Sequence, residues 1–241
     1  MKKLLVLLLV FSLFAIGCSK EEEAAEAKVG LVTDVGKVDD KTFNQFAYEG
    51  MMRAAEDFDF QADYIETQQP TDYEKNIRTF AEEGYDVIIT VGFLITDATY
   101  KMAQEYQEIN FVGVDQFYEN PLDNTLGIQF AEDQSGFIAG ALAAMMSESG
   151  VIGFVGGIEI PPVIKFRKGY ENGAKHINPD IKVLGVYIDS FTAPDRGNAA
   201  AEAQIADGAD VIFGAGGPTG SGAIVAAMEK QVYGIGVDQD E

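Results

Sequence analysis

The chain has 241 residues, with 17 Lys and Arg against 39 Asp and Glu and a net charge of −22. Its 47% hydrophobic and 23% charged content excludes wholesale disorder. Such an acidic balance excludes a protein that grips phosphate backbones through clustered basic residues, and no nucleic-acid partner is expected. A single cysteine excludes an intramolecular disulfide, and a single histidine, His176, excludes the common multi-histidine metal sites. The length allows two domains of about 100 to 120 residues, each with its own core.

Lys2 and Lys3 precede an apolar run from Leu4 to Ile16, broken only by Ser12. The run is shorter than the about 20 residues that span a bilayer as a helix. A basic start, a short apolar run and small residues at its end describe an export signal over residues 1–17. The only cysteine, Cys18, follows Ala15-Ile16-Gly17. This resembles a bacterial lipobox, in which the cysteine is lipidated and becomes the new N-terminus, and it implies a lipid-anchored, extracytoplasmic protein. Residues 18–28, with Glu21, Glu22, Glu23 and Glu26, read as a solvated acidic tether.

The body begins with a short buried strand, Val29 to Val32, followed by a helix from Thr42 to Asp57 with Phe43, Phe46, Ala47, Met51 and Ala54 on one side. After Pro70, Thr71 or Asp72 caps a helix with inner face Tyr73, Ile77, Phe80 and Ala81, stopped by Gly84. Val87 to Val91 is a β-branched strand buried on both faces. Thr96 or Asp97 caps a helix to Tyr106, and Phe111 to Val114 forms the next strand. Leu126 to Phe130 read as a short strand, and Asp133 or Ser135 caps a helix from Gly136 to Met146. Strands and helices alternating at these lengths predict parallel sheets with helices on both faces.

The pattern then repeats. Gly30-Leu31-Val32 returns as Gly153-Phe154-Val155, Tyr48-Glu49 as Tyr170-Glu171, Gly84-Tyr85-Asp86-Val87-Ile88 as Gly208-Ala209-Asp210-Val211-Ile212, and Gly113-Val114-Asp115-Gln116 as Gly236-Val237-Asp238-Gln239. The displacement is nearly constant at about 123 residues, too long for a solenoid and right for two similar α/β lobes. The lobes are assigned to residues 29–128 and 129–241, with the crossing near Gly127 to Ala131.

Ligands of open parallel sheets sit beyond the carboxyl ends of the strands. Those ends carry Asp34, Asp115, Phe191, the run Gly214-Ala215-Gly216-Gly217 and Asp238. Asp115 and Asp238 are equivalent in the repeat, so facing lobes would point both at one cleft. A carboxylate accepts two or more hydrogen bonds and suits a vicinal diol or a ring bearing N–H. Phe191 lies in a loop, where a large ring has little reason to be buried. Each residue also has a plainer role open to it: a turn for Asp34, Asp115 and Asp238, core for Phe43, a solvated helix position for Asn44, and a tight turn for the glycines. The glycine run is not a phosphate loop. G-x-x-x-x-G-K-[ST] is absent, and Thr219 stands where G-x-G-x-x-G needs its third glycine.

The stretch from Asp34 to Gln45, Asp-Val-Gly-Lys-Val-Asp-Asp-Lys-Thr-Phe-Asn-Gln, resembles the signature of the basic membrane protein family of substrate-binding lipoproteins, including the PnrA-type purine nucleoside receptors of ABC transporters. The resemblance continues through Phe111 to Asp115, Gln134 to Gly140, Gly214 to Gly217 and Gly236 to Asp238. It implies a type I periplasmic-binding-protein fold: two doubly wound parallel-sheet lobes joined by a hinge of three crossing strands, with nucleoside between them. Carried over by motif, Asp34 and Asn44 contact the base, Phe43 and Phe191 sandwich it, Asp115 faces it, Gly216 and Gly217 offer backbone N–H, and Asp238 holds the ribose hydroxyls. Family members run on well past the equivalent of Glu241 and include a further ligand-contacting lysine, so the resemblance implies a C-terminally truncated chain.

The expectation is a monomeric, lipid-anchored, non-enzymatic receptor without cofactor or metal, which captures a purine nucleoside by hinge closure for an ABC permease. Three other readings are open. The scaffold could bind a sugar or another polar metabolite. Asp238-Gln239-Asp240 faintly resembles the D-x-D of magnesium-dependent phosphohydrolases. A surface interaction lipoprotein would need no small ligand.

Overall fold

The computed structural model describes residues 26–238. The expectations for Cys18, for the export signal and for Gln239 and Asp240 of the acidic chain end lie outside these residues. Lys28, read as tether, is instead the first residue of strand β1 (Lys28–Thr33), with its N–H bonded to Asp86 Oδ2 at 2.8 Å.

The first unit continues through α1 (Phe43–Phe58), β2 (Gln61–Ile65), a single turn at Pro70–Asp72, α2 (Tyr73–Glu82), β3 (Val87–Val91), α3 (Thr96–Glu105), β4 (Asn110–Val114) and β5 (Thr125–Ile128). The second comprises α4 (Glu132–Met146), β6 (Val151–Gly156), α5 (Pro161–Ile177), β7 (Lys182–Tyr187), α6 (Pro194–Ala206), β8 (Val211–Ala215), α7 (Gly217–Glu229) and β9 (Tyr233–Ile235). The first sheet has the order β2-β1-β3-β4-β5 and the second β7-β6-β8-β9, all pairs parallel. In both, the second strand lies outside the first, and the third and fourth follow on its other side. The internal repeat seen in the sequence is therefore a repeat of topology.

Each sheet is covered on both faces, as an α/β doubly wound architecture requires. Leu31 packs towards α1 with Met51 and Val91. The next residue, Val32, points the other way, towards Tyr73, Ile77 and Phe80 of α2 and Met102 of α3. In the second sheet Phe154 meets Tyr170 and Ala143, while Val155 meets Ala201, Ala223 and Ala226. The chain passes from one unit to the other over residues 129–131, and α4 lies against α5.

One strand was not expected, and two local expectations are corrected. Strand β2 is an edge strand whose residues are half or fully exposed, so Gln61-Ala62-Asp63-Tyr64-Ile65 carries no apolar alternation to announce it. Helix α4 begins at Glu132, four positions before Gly136, because Glu132 is buried in a pair with Lys165 at 3.1 Å. The proposed side-chain caps at α2, α3 and α4 make no cap hydrogen bond.

Candidate functional site

The carboxyl ends of both sheets open onto one cavity of about 1050 Å³, within reach of the size range of small-molecule sites. Asp34, Phe43, Asn44, Asp115, Phe191, Gly216, Gly217 and Asp238 all line it. In each sheet the relevant strand ends flank the point where the order reverses, between β1 and β3 and between β6 and β8.

Asp34 follows β1. Its N–H bonds Val91 O at 2.9 Å, and its carboxylate accepts the N–H of Val35 at 2.5 Å. The side chain is 6% exposed. Burial pushes it up to about 7, against the pull of the Val35 and Leu94 N–H groups and with a further push from Asp115. Space for it exists only because the neighbouring strand β3 is followed by glycine: a Cβ on Gly92, at φ +111, would lie 1.9 Å from Asp34 Oδ2.

Asp40 organises the loop leading into α1. Its carboxylate accepts the N–H of Thr42 at 2.8 Å, Asn44 at 3.2 Å and Gln45 at 3.2 Å. Asn44 is thereby turned inwards. It is buried, its Nδ2 donates to Val35 O at 3.0 Å and to Asp40 Oδ2 at 2.9 Å, and its Oδ1 is buried without a partner. Phe43 beside it is half-buried on the cavity wall.

Asp115 follows β4 in the left-handed conformation, φ 60, and Asp238 after β9 has φ 70. The repeat equivalence thus extends to backbone shape. Burial pushes Asp115 up to about 7, reinforced by the charges of Glu132 and Asp238 and opposed by Lys165. Its Oδ1 is buried with no hydrogen-bond partner. Asp238 is exposed at the cavity edge.

The second lobe contributes the facing wall. Phe191, in the loop between β7 and α6, lies over Gly157, where a Cβ would come within 2.3 Å of its ring. Its carbonyl accepts the N–H of Thr219 at 3.1 Å, which ties the loop to α7. Gly157 N–H in turn bonds Ala215 O at 3.0 Å, beside Gly216. Gly217 opens α7 with φ +54.

The sequence reading missed Gly92, Glu132, Phe130 and Phe166, which also line the cavity or shape it. Gly92 was findable, since it is the repeat partner of Gly216. Glu132 carried no signal, because its burial depends on Lys165 from another helix. The arrangement offers acceptors from three carboxylates, aromatic faces from both lobes and backbone N–H at one helix start. It suits an uncharged, flat guest rich in hydrogen-bond donors. Among the described residues no cluster of His, Cys, Asp or Glu could hold a metal ion.

The family profile described as ABC transporter substrate-binding protein PnrA-like matches residues 27–241. Basic membrane protein A1 of Borrelia garinii is 35% identical, over 100% of this chain and 73% of that one. ABC transporter nucleoside-binding protein BmpA of Lactococcus lactis is 32% identical, over 90% of this chain and 65% of that one. The crystal structure of an ABC transporter solute-binding protein from Aeropyrum pernix K1 matches with a TM-score of 0.81 at 28% identity, over 87% of this chain and 61% of that one. The chain thus spans less than two thirds of the last two. The last two are named as binding proteins of ABC transporters. Matched from its first strand onwards, and built as two topologically equivalent lobes around a shared cavity, the chain belongs to the PnrA-like family of ABC transporter substrate-binding proteins.

Proposed function

We propose that this protein captures a purine nucleoside between its lobes by hinge closure and delivers it to an ABC permease. The observation that carries the reading is the pairing, around one cavity, of Phe43 and Phe191 from opposite lobes with the carboxylates Asp34, Asp115 and Asp238. Base stacking on aromatic rings contributes about 1–3 kcal/mol per base. The carboxylates accept from ring N–H and ribose hydroxyls, and an analogue lacking those donors leaves them unpaired. A relative whose name states nucleoside binding supports the same class of guest.

Guest contacts to both lobes favour the closed form by their differential affinity. Cys18 is the site of a lipid anchor, which holds a monomeric receptor on the extracytoplasmic face of the membrane. No helix among the described residues is long and apolar enough to cross a membrane.

A thermal-shift panel tests the reading. Adenosine, guanosine and inosine raise the melting temperature, whereas free ribose, glucose and galactose do not. Asp238→Ala abolishes the difference between inosine and its 2′,3′-dideoxy analogue, because the carboxylate that distinguishes them is gone. Stabilisation by sugars alone, or by nothing in the panel, contradicts the reading.

A further inference from the structure

Thr42 is a buried hydroxyl that the proposed site leaves unused. It precedes α1, where a threonine ordinarily turns its oxygen onto the first free N–H groups of the helix. Here it makes no side-chain cap bond. Asp40 caps the helix instead, through the N–H groups of Thr42, Asn44 and Gln45. Thr42 is nevertheless 1% exposed, and its Oγ1 is buried with no hydrogen-bond partner. Buried hydroxyls are rarely left unpaired, because the desolvation is uncompensated.

What the hydroxyl faces belongs to the other lobe. A Cβ built on Gly217 would meet Thr42 Oγ1 at 3.6 Å and the carbonyl of Phe191 at the same distance. Gly217 is the first residue of α7; Pro218 has no N–H, and the N–H groups of Thr219 and Gly220 already bond the carbonyls of Phe191 and Gly216, so the N–H of Gly217 is the donor of this first turn that its own helix does not use. An unpaired hydroxyl on the first lobe therefore stands near the N–H of Gly217 on the second, at the cavity wall.

We infer that Thr42 is an interlobe latch, whose hydroxyl accepts the backbone N–H of Gly217 when the lobes close. That bond is made only across the lobes, so it favours the closed state over the open one and slows release of the guest. Thr42 is a positioning residue, since it acts on the lobes and not on the guest. The inference rests on the proposed function for the hinge closure and for the guest's identity.

The test compares Thr42→Val, Thr42→Ala and Thr42→Ser with the parent protein. Spin labels are placed on cysteines introduced at the exposed Glu56 of α1 and Lys175 of α5, in a Cys18→Ser background. Lobe separation is measured without guest and with inosine, and inosine release by stopped flow. Thr42→Val keeps the side chain's volume and removes a hydroxyl with no partner, so it does not lower the melting temperature. Val and Ala shift the guest-free separations to longer values and speed release by about tenfold, the worth of one hydrogen bond made only on closure. Ser restores both. Parental separations in Val and Ala overturn the latch, and so does faster release without any change in separation, which makes the hydroxyl a guest contact. If the parent binds no nucleoside, the nucleoside reading fails, while the guest-free separations still decide the latch.

Discussion

Asp34 and Asp115 are carboxyl groups held where charge is costly, and each is pushed up to about 7 chiefly by burial. An unfolded aspartate titrates near 3.8. Between those values the folded protein keeps protons that the unfolded chain has lost, so these two groups favour folding below about pH 4 and lose that contribution as the pH rises to about 7. The guest-free protein should therefore melt at falling temperature across this window. Asp34→Asn, which cannot ionise, should flatten the decline and raise the melting temperature at pH 8. Melting curves from pH 4 to 8 check this, and an unchanged slope in the variant contradicts it. Such an environment was only partly legible in the sequence. The strand-end position of both aspartates followed from the β-branched runs before them. Their environment did not, because Gly92 makes room for Asp34 and the charge of Glu132 acts on Asp115, both from residues distant in sequence. The free oxygen of Thr42 was equally invisible, since a threonine before a helix reads as its cap until Asp40 is seen to hold the N–H groups.

At the scale of elements, α4 and α5 approach until their backbones touch. A Cβ on Gly140 would lie 2.0 Å from the carbonyl of Tyr170, and one on Gly173 would lie 1.9 Å from that of Phe137. This close seam seats Glu132, at the start of α4, against Lys165 of α5 and so fixes one side of the cavity. Gly140→Ala forces the helices apart and should destabilise the protein by about 1–3 kcal/mol. A Cβ on Gly50, inside α1, would meet nothing within 4 Å, so Gly50→Ala should stabilise by about 0.5–1 kcal/mol through helix propensity alone. Urea denaturation of both variants checks the contrast, and equal effects contradict it. The same elements show what periodicity can and cannot reveal. The inner face Tyr73, Ile77, Phe80 and Ala81 is buried as its spacing predicts, whereas Phe46, placed on the inner side of α1, is 42% exposed. It lines the cavity wall rather than the sheet contact. Strand β2 was missed because an edge strand need not hide its side chains.

For the molecule as a whole, the repeat was the most informative feature of the sequence. Short matches at a constant displacement led to two lobes of equal topology, and the equivalence of Asp115 and Asp238 led to a shared cavity. The chain's charge of −22 and the carboxylates around the opening set the sign of the guest. A phosphate added to a nucleoside meets like charge in a partly desolvated cleft, so nucleoside 5′-monophosphates should be rejected. Isothermal titration calorimetry with inosine, inosine 5′-monophosphate and ribose tests the central claim most directly. The account predicts saturable heat at one inosine per chain, with a negative heat-capacity change from apolar burial, and no measurable heat from the other two. Absence of heat with inosine, or equal heat with ribose, would contradict it.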